Sequence, residues 1–173
     1  MKILNIWFNH PIPQKYQRCI DTQRKYFAGY EYEMIDKIQS VRLLTQANDL
    51  YDGVNTVDEY INMPIPGSDY LRMYLLSLYP DCLYIDCDVE IIAPPPEFGA
   101  APAIEHIRHT DFFNNGIMYN ADRCDLFGAF CKYWFGQKQL HYLYASVNKF
   151  GHDNQCDKLS PEWYNHYMYT AKG

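Results

Sequence analysis

Short apolar runs alternate along this chain with longer segments of helical spacing, and this alternation limits the possible folds more than any other feature. Residues 3–8 are apolar at Ile3, Leu4, Ile6, Trp7 and Phe8 and predict a strand. Residues 14–27 predict a helix with Pro13 near its first turn, and residues 30–35 a second strand. Residues 41–60 predict one or two helices broken near Gly53. Residues 68–79 predict the best-marked helix, with Ser68 as cap, Asp69 at its positive end and Pro80 as its stop. Residues 82–85 and 116–119 predict short buried strands, residues 124–135 and 140–150 helices, and residues 164–169 a closing strand. The run Ala93-Pro94-Pro95-Pro96 must be extended and reads as an exit from a sheet. Strand–helix alternation implies an α/β layered domain with a mostly parallel sheet, and residues 1–173 suit one such domain. Ligands of such sheets bind beyond the carboxyl ends of the strands.

Composition narrows the partners. Hydrophobic residues make up 48% and charged residues 21%, which excludes disorder as the main state. The net charge of -6, with no run of Lys and Arg, argues against a broad nucleic-acid surface. The 17 tyrosines suit pockets for flat or sugar-like ligands, and equally suit ordinary core and surface. None of the six cysteines forms a CxxC pair, so a zinc ribbon is not expected. Met1-Lys2-Ile3-Leu4 leads straight to polar Asn5 and Asn9 rather than into a signal segment, so buried, reduced cysteines and a cytoplasmic location are expected. No apolar stretch approaches the ~18 residues that span a membrane.

The most informative segment is Leu83-Tyr84-Ile85-Asp86-Cys87-Asp88-Val89-Glu90, a buried strand ending in two aspartates at i and i+2. In an extended chain both carboxylates point the same way. Side by side they repel, and a hard divalent cation such as Mn²⁺ or Mg²⁺ relieves this while leaving positions open for phosphate oxygens. A turn carrying solvated acids is the alternative. Upstream, Asp69 and Arg72 stand at i and i+3 near a helix start. They can form a local ion pair, or present a carboxylate and a fixed fork of donors to a ligand over the same sheet edge.

These residues resemble a known family. Ser68-Asp69-Tyr70-Leu71-Arg72, followed by Leu75, Leu76, Tyr79 and Tyr84-Ile85-Asp86-Cys87-Asp88-Val89, is similar to the sugar-binding region of DxD glycosyltransferases, nearest to the retaining families 32 and 8. The opening Lys2-Ile3-Leu4-Asn5-Ile6-Trp7-Phe8, then Pro11-Ile12-Pro13 and Tyr30-Glu31-Tyr32, resembles the start of family 32. Phe113-Asn114-Asn115-Gly116-Ile117-Met118-Tyr119-Asn120 resembles a family 8 motif, and Leu159 to His166 the end of the domain. The resemblance implies a type A, single Rossmann-like domain of minimal size, with a mostly parallel central sheet flanked by helices.

It also implies roles. Asp88 would bind the metal directly and Asp86 the metal, ribose or sugar, with His166 as third metal ligand. Asp69 and Arg72 would bind the donor sugar, and Lys172, which has Gly173 where the family has Pro, would meet the diphosphate. Asn115, Asp153 and Gln155 would face the reacting sugar. Apart from the resemblance, Trp7, Tyr16 and the tyrosines at Tyr70, Tyr74 and Tyr79 are candidates to stack on a base, with ordinary core packing as the more frequent use of such aromatics. For Asn115 turn chemistry, for Asp153 an ordinary loop, and for His166 a partly buried histidine are the competing readings. The expected activity is metal-dependent transfer of a sugar, with retention, from a nucleotide sugar (a UDP-sugar first) to a glycan-type acceptor. A second copy or a partner protein would complete the acceptor site if the chain alone does not. The competing activities are a haloacid-dehalogenase-like phosphatase with Asp86 as nucleophile, and an inactive nucleotide-sugar-binding module.

Overall fold

The strands of this protein split their side chains between two cores, as the alternation of residues along a strand requires. From the first strand, β1 (Lys2–Ile6), Leu4 and Ile6 join one core, and Ile3 the other. Tyr84 and Met118 go to the first core, Leu83, Ile85 and Ile117 to the second. The computed structural model describes residues 1–106, 112–140, 142–159 and 161–166.

The elements follow as α1 (Gln14–Tyr26), β2 (Glu31–Ile35), α2 (Lys37–Tyr51), α3 (Val57–Asn62), α4 (Pro64–Leu78), β3 (Cys82–Ile85), β4 (Val89–Ile91), β5 (Ala103–His106), β6 (Phe113–Tyr119), α5 (Cys124–Phe135), α6 (Tyr144–Asp153), β7 (Asp157–Leu159) and β8 (Tyr164–His166). The central sheet has the order β2-β1-β3-β6-β5-β7. β1 is parallel to β2 and β3, β6 is antiparallel to β3 and β5, and β7 is parallel to β5. All strands of this sheet except β6 therefore point one way. The architecture is a mixed α/β fold with a single central sheet flanked by helices, as expected.

Several boundaries differ from expectation for physical reasons. α4 begins at Pro64, so Ser68 lies inside the helix and its hydroxyl donates to the Ile65 carbonyl at 2.8 Å. Pro64 and Pro66 are tolerated because first-turn amides have no intrahelical acceptor anyway. The break expected near Gly53 is present: α2 stops at Asp52, whose φ is 52°, and α3 restarts behind a Thr56–Glu59 capping box. α6 starts at Tyr144 rather than at residue 140, because the Leu143 amide is drawn to Asp69 Oδ2 at 3.1 Å. β8 pairs with β4 in a separate two-stranded sheet instead of closing the central one. The remainder of the expected 164–169 strand lies outside the described residues.

α4 is the most deeply set helix, buried almost continuously from Pro66 to Leu76 and packed against α3, α5 and β3. Gly67 permits its crossing of α3: a Cβ there would stand 2.1 Å from the Tyr60 carbonyl oxygen. The six cysteines are free, and five are buried. No helix among the described residues is long and apolar enough to cross a membrane.

Candidate active site

β1 and β3 run parallel, and β6 runs against them, so the carboxyl ends of β1 and β3 meet the start of β6 at one sheet edge. A cleft of about 470 Å³ opens there. Trp7 leaves β1, Asp86 and Asp88 follow β3, Asn114 and Asn115 open β6, and Asp69 and Arg72 reach in from α4; all of them line it.

Arg72 organises the floor. Its guanidinium is buried and lies 4.6 Å from the centre of the Tyr84 ring. Nη1 donates to Asp86 Oδ2 at 3.3 Å and to the Asn115 carbonyl. Nη2 faces Asp86 Oδ1 at 3.2 Å, Asp69 Oδ1 at 3.3 Å and Ser68 Oγ at 3.3 Å, while Nε donates to the Ser68 carbonyl at 3.3 Å. Burial alone would lower the Arg72 pKa, but Asp86, Tyr84 and Asp69 outweigh it and hold the guanidinium charged. Asp69 is pushed up by burial, against the pull of Arg72 and the Leu143 amide. The Tyr84 hydroxyl donates to Asp86 Oδ1 at 2.6 Å, and burial, with this bond, raises its pKa well above the usual tyrosine value.

The two aspartates do not lie along an extended chain, as their spacing led one to expect. The Val89 amide donates to the Asp86 carbonyl at 3.2 Å, closing a turn over Cys87 and Asp88. The turn still leaves both aspartates on the cleft. It is held from beneath by a side chain that sequence reasoning missed. Gln23 of α1 is fully buried, and its Nε2 donates to the Asp86 carbonyl at 2.9 Å and the Val89 carbonyl at 2.7 Å. Its Oε1 accepts from Asn5 Nδ2 at 2.8 Å and from the Tyr32 hydroxyl at 3.1 Å. An uncharged amide beside Cys19 and Ile20 on the buried side of α1 was the available signal, since buried polar groups need partners.

Asn114 and Asn115 are neighbours on a strand, where side chains ordinarily face opposite ways. The pairing of β5 with β6 explains their shared cleft: Ile104 faces Met118 and His106 faces Phe113, so two steps on β5 span five on β6. Such a register shift re-aims side chains. Asn115 Nδ2 donates to Asp69 Oδ1 at 2.8 Å, and Asn114 Nδ2 to Glu105 Oε2 at 2.7 Å.

Trp7 stands at the β1 end of the cleft with its ring centre 5.2 Å from that of Tyr16. Its backbone amide donates to the Ile35 carbonyl at 2.9 Å, which fixes the chain as it leaves the sheet. Ile65 and Tyr142, 61% and 62% exposed, also line the cleft.

Other expected site residues are placed elsewhere. Asp153 ends α6, is exposed and pairs with Lys149 Nζ at 2.6 Å; Gln155 is exposed in a turn with φ 52°. Neither lines the cleft. Asp153 is the last residue of α6, and its carboxylate is taken up by Lys149 one turn earlier. His166 belongs to β8, whose register sets it opposite Val89, one residue beyond Asp88. Lys172 lies outside the described residues. Among the described residues, no group of three His, Cys, Asp or Glu side chains is placed to hold a metal ion.

No protein-family model matches the chain, and no curated protein sequence matches it. Solved structures do match in fold. One is a glycosyltransferase involved in glycosylation of the major capsid of PBCV-1, at 10% identity and a TM-score of 0.51, over 92% of this chain and 81% of that one. Another is the PaToxG glycosyltransferase, at 15% identity and a TM-score of 0.52, over 88% of this chain and 68% of that one. The chain thus has the fold of these glycosyltransferases.

Proposed function

We propose that this protein is a metal-dependent glycosyltransferase that moves a sugar from a nucleotide sugar, with a UDP-sugar as first candidate, to a hydroxyl of an acceptor. One observation carries the reading. In a fold shared with glycosyltransferases, Asp69, Arg72, Asp86, Asp88 and Asn115 converge with Trp7 on one cleft at the carboxyl edge of the sheet. Retention of configuration rests on the resemblance to families 32 and 8.

The charge balance supports a metal. Three carboxylates line the cleft against one guanidinium, and the donors of that guanidinium already meet Asp69, Asp86, Ser68 and Asn115. Among the described lining residues no second cation stands ready for a diphosphate. Mn²⁺ or Mg²⁺ fits, because such ions are often held by one or two carboxylates together with substrate phosphates. Asp88 and Asp86 would hold it, and the proposed third ligand is His166. A bound cation supplies charge stabilisation for the departing nucleoside diphosphate.

The chain's own residues would do the rest. Trp7 and Tyr16 offer an aromatic surface to the base. Arg72 keeps Asp86 and Asp69 in place, and Asn115, bonded to Asp69, would face the sugar. A phosphatase would need Asp86 as its nucleophile. Both Asp86 oxygens are held by Arg72 and Tyr84, so no observation favours that reading.

Calorimetric titration tests the proposal, with UDP and GDP, each with and without Mn²⁺, on the wild type and on Asp86→Ala/Asp88→Ala. Metal-dependent binding of one nucleotide, lost in the variant, is expected. Binding of neither nucleotide under any condition would sink the proposal. Release of free sugar from the matching nucleotide sugar then separates an enzyme from an inactive binding module.

A further inference from the structure

We infer that Glu105 is a positioning residue: it orients Asn114 so that the amide oxygen accepts a hydroxyl hydrogen bond from the sugar of the bound substrate. The inference rests on the glycosyl-transfer reading and adds how this chain would recognise a hydroxyl-bearing ring.

The argument begins with hydrogen-bond chemistry. An ionised carboxylate only accepts, whereas an Asn amide has a donating nitrogen and an accepting oxygen. Glu105 is 2% exposed, and its Oε2 lies 2.7 Å from Asn114 Nδ2. That contact commits the nitrogen to the carboxylate and leaves Oδ1 as the polar atom to spare. Among the described residues, Asn114 Oδ1 takes no hydrogen bond, and Asn114 lines the cleft. Asn115 repeats the arrangement: its nitrogen is committed to Asp69 Oδ1 at 2.8 Å, and it too lines the cleft.

The backbone supports this reading. The shift in register between β5 and β6 falls at Glu105 on one strand and across residues 114–117 on the other. Such irregularities are common beside active sites, where they re-aim side chains. Without the shift, Asn114 and Asn115 would face opposite sides of the sheet. With it, two neighbouring amides line one cleft, each with its nitrogen held by a buried carboxylate and its oxygen left as the acceptor. The hydroxyl groups of a transferred sugar can donate to both; a bare nucleoside diphosphate carries its ribose but no transferred sugar.

The test is calorimetric titration in the presence of Mn²⁺, with UDP, GDP, UDP-glucose, UDP-galactose, UDP-N-acetylglucosamine and GDP-mannose as probes. Melting curves establish that each variant folds. Asn114→Ala should weaken the best-bound nucleotide sugar about fivefold, the worth of one hydrogen bond. It should leave the bare nucleotide within about twofold. Glu105→Gln should act in the same direction, because a neutral amide partner lets Asn114 turn its nitrogen into the cleft. The exchange Glu105→Gln/Asn114→Asp rebuilds the bond in reverse, returns an acceptor oxygen to the cleft, and should restore binding of the nucleotide sugar. Should Glu105→Gln not fold, Glu105→Asp carries the same test, since it keeps the charge but withdraws the oxygen by one methylene.

Wild-type affinity for the nucleotide sugar in both single variants would overturn the inference. So would equal losses for nucleotide sugar and bare nucleotide, or a folded exchange variant without rescue. A wild type that binds the bare nucleotide but gains nothing from the sugar would overturn this inference and leave the glycosyl-transfer reading standing. A wild type that binds none of the probes would overturn both.

Discussion

Replacing Arg72 by Met removes the cation that two carboxylates share while keeping much of its bulk. Asp86 Oδ1 and Asp69 Oδ1 lie 3.2 and 3.3 Å from Nη2, and the three side chains are 23%, 6% and 5% exposed. At an effective dielectric of about 20, each such pair attracts by about 5 kcal/mol, and desolvation of the guanidinium cancels much of the sum. Breaking a buried pair by removing one member costs about 3–5 kcal/mol, since the remaining charges stay buried. For a chain of this size that is a fall of roughly 6–20 °C in Tm. The pH dependence is the sharper test. Asp69 is raised above its ordinary value of 3.8 chiefly by burial, and Arg72 is the largest influence pulling it back. An acid raised in the folded state destabilises nothing below its unfolded pKa, and imposes its full penalty above its folded pKa. Removing Arg72 lifts Asp69 further and enlarges the penalty at neutral pH, while protonation relieves it in acid. The Tm gap between wild type and Arg72→Met, followed by scanning calorimetry from pH 8 to pH 5, should therefore narrow as pH falls. A gap below about 3 °C at pH 7.5, or one constant across the range, would refute the reasoning.

Other expectations follow from the same geometry. Gln23→Leu takes its side-chain donor from the buried Val89 carbonyl and leaves the Asp86 carbonyl with the Val89 amide alone; at about 1–3 kcal/mol for an unpaired buried group, chemical denaturation should show a loss of roughly 1–3 kcal/mol. The same variant should weaken Mn²⁺-dependent nucleotide binding, and unchanged binding would mean that the turn needs no support from α1. Trp7→Ala should weaken UDP binding about tenfold, at a stacking value of about 1–3 kcal/mol, with Mn²⁺ dependence retained; titration that shows equal affinity would remove Trp7 from the base site. Gly67→Ala drives a Cβ to within 2.1 Å of the Tyr60 carbonyl oxygen, so α3 and α4 must part. Thermal melts should register a loss of at least about 1–3 kcal/mol, and a neutral result would show that the helix crossing is soft.

What could be read in the amino-acid order was whatever depends on neighbours along the chain. The periods of β1, α1, β2, β3 and α5 are local, and the strand Cys82–Ile85 and helix Cys124–Phe135 fall where the apolar runs place them. Acids after a buried strand, and Asp69 with Arg72 one turn apart, drew attention to one sheet edge by type and spacing, and the resemblance to DxD glycosyltransferases joined them into a candidate site. The short strands β4, β5 and β7 were not legible, since each carries a charged residue in place of the unbroken apolar run that marks β3, and is held by its partner across the sheet. The start of α6 was misjudged because the Leu143 amide answers to Asp69, 74 positions earlier. Tertiary structure alone decided that Arg72 spends its donors on protein groups, that Gln23 holds the Asp86–Val89 turn, and that a register shift brings two adjacent asparagines to one cleft. Each of these depends on a hydrogen bond between residues far apart in sequence. Such a bond exists only once the sheet has set β1, β3 and β6 side by side and packed α1 and α4 against them.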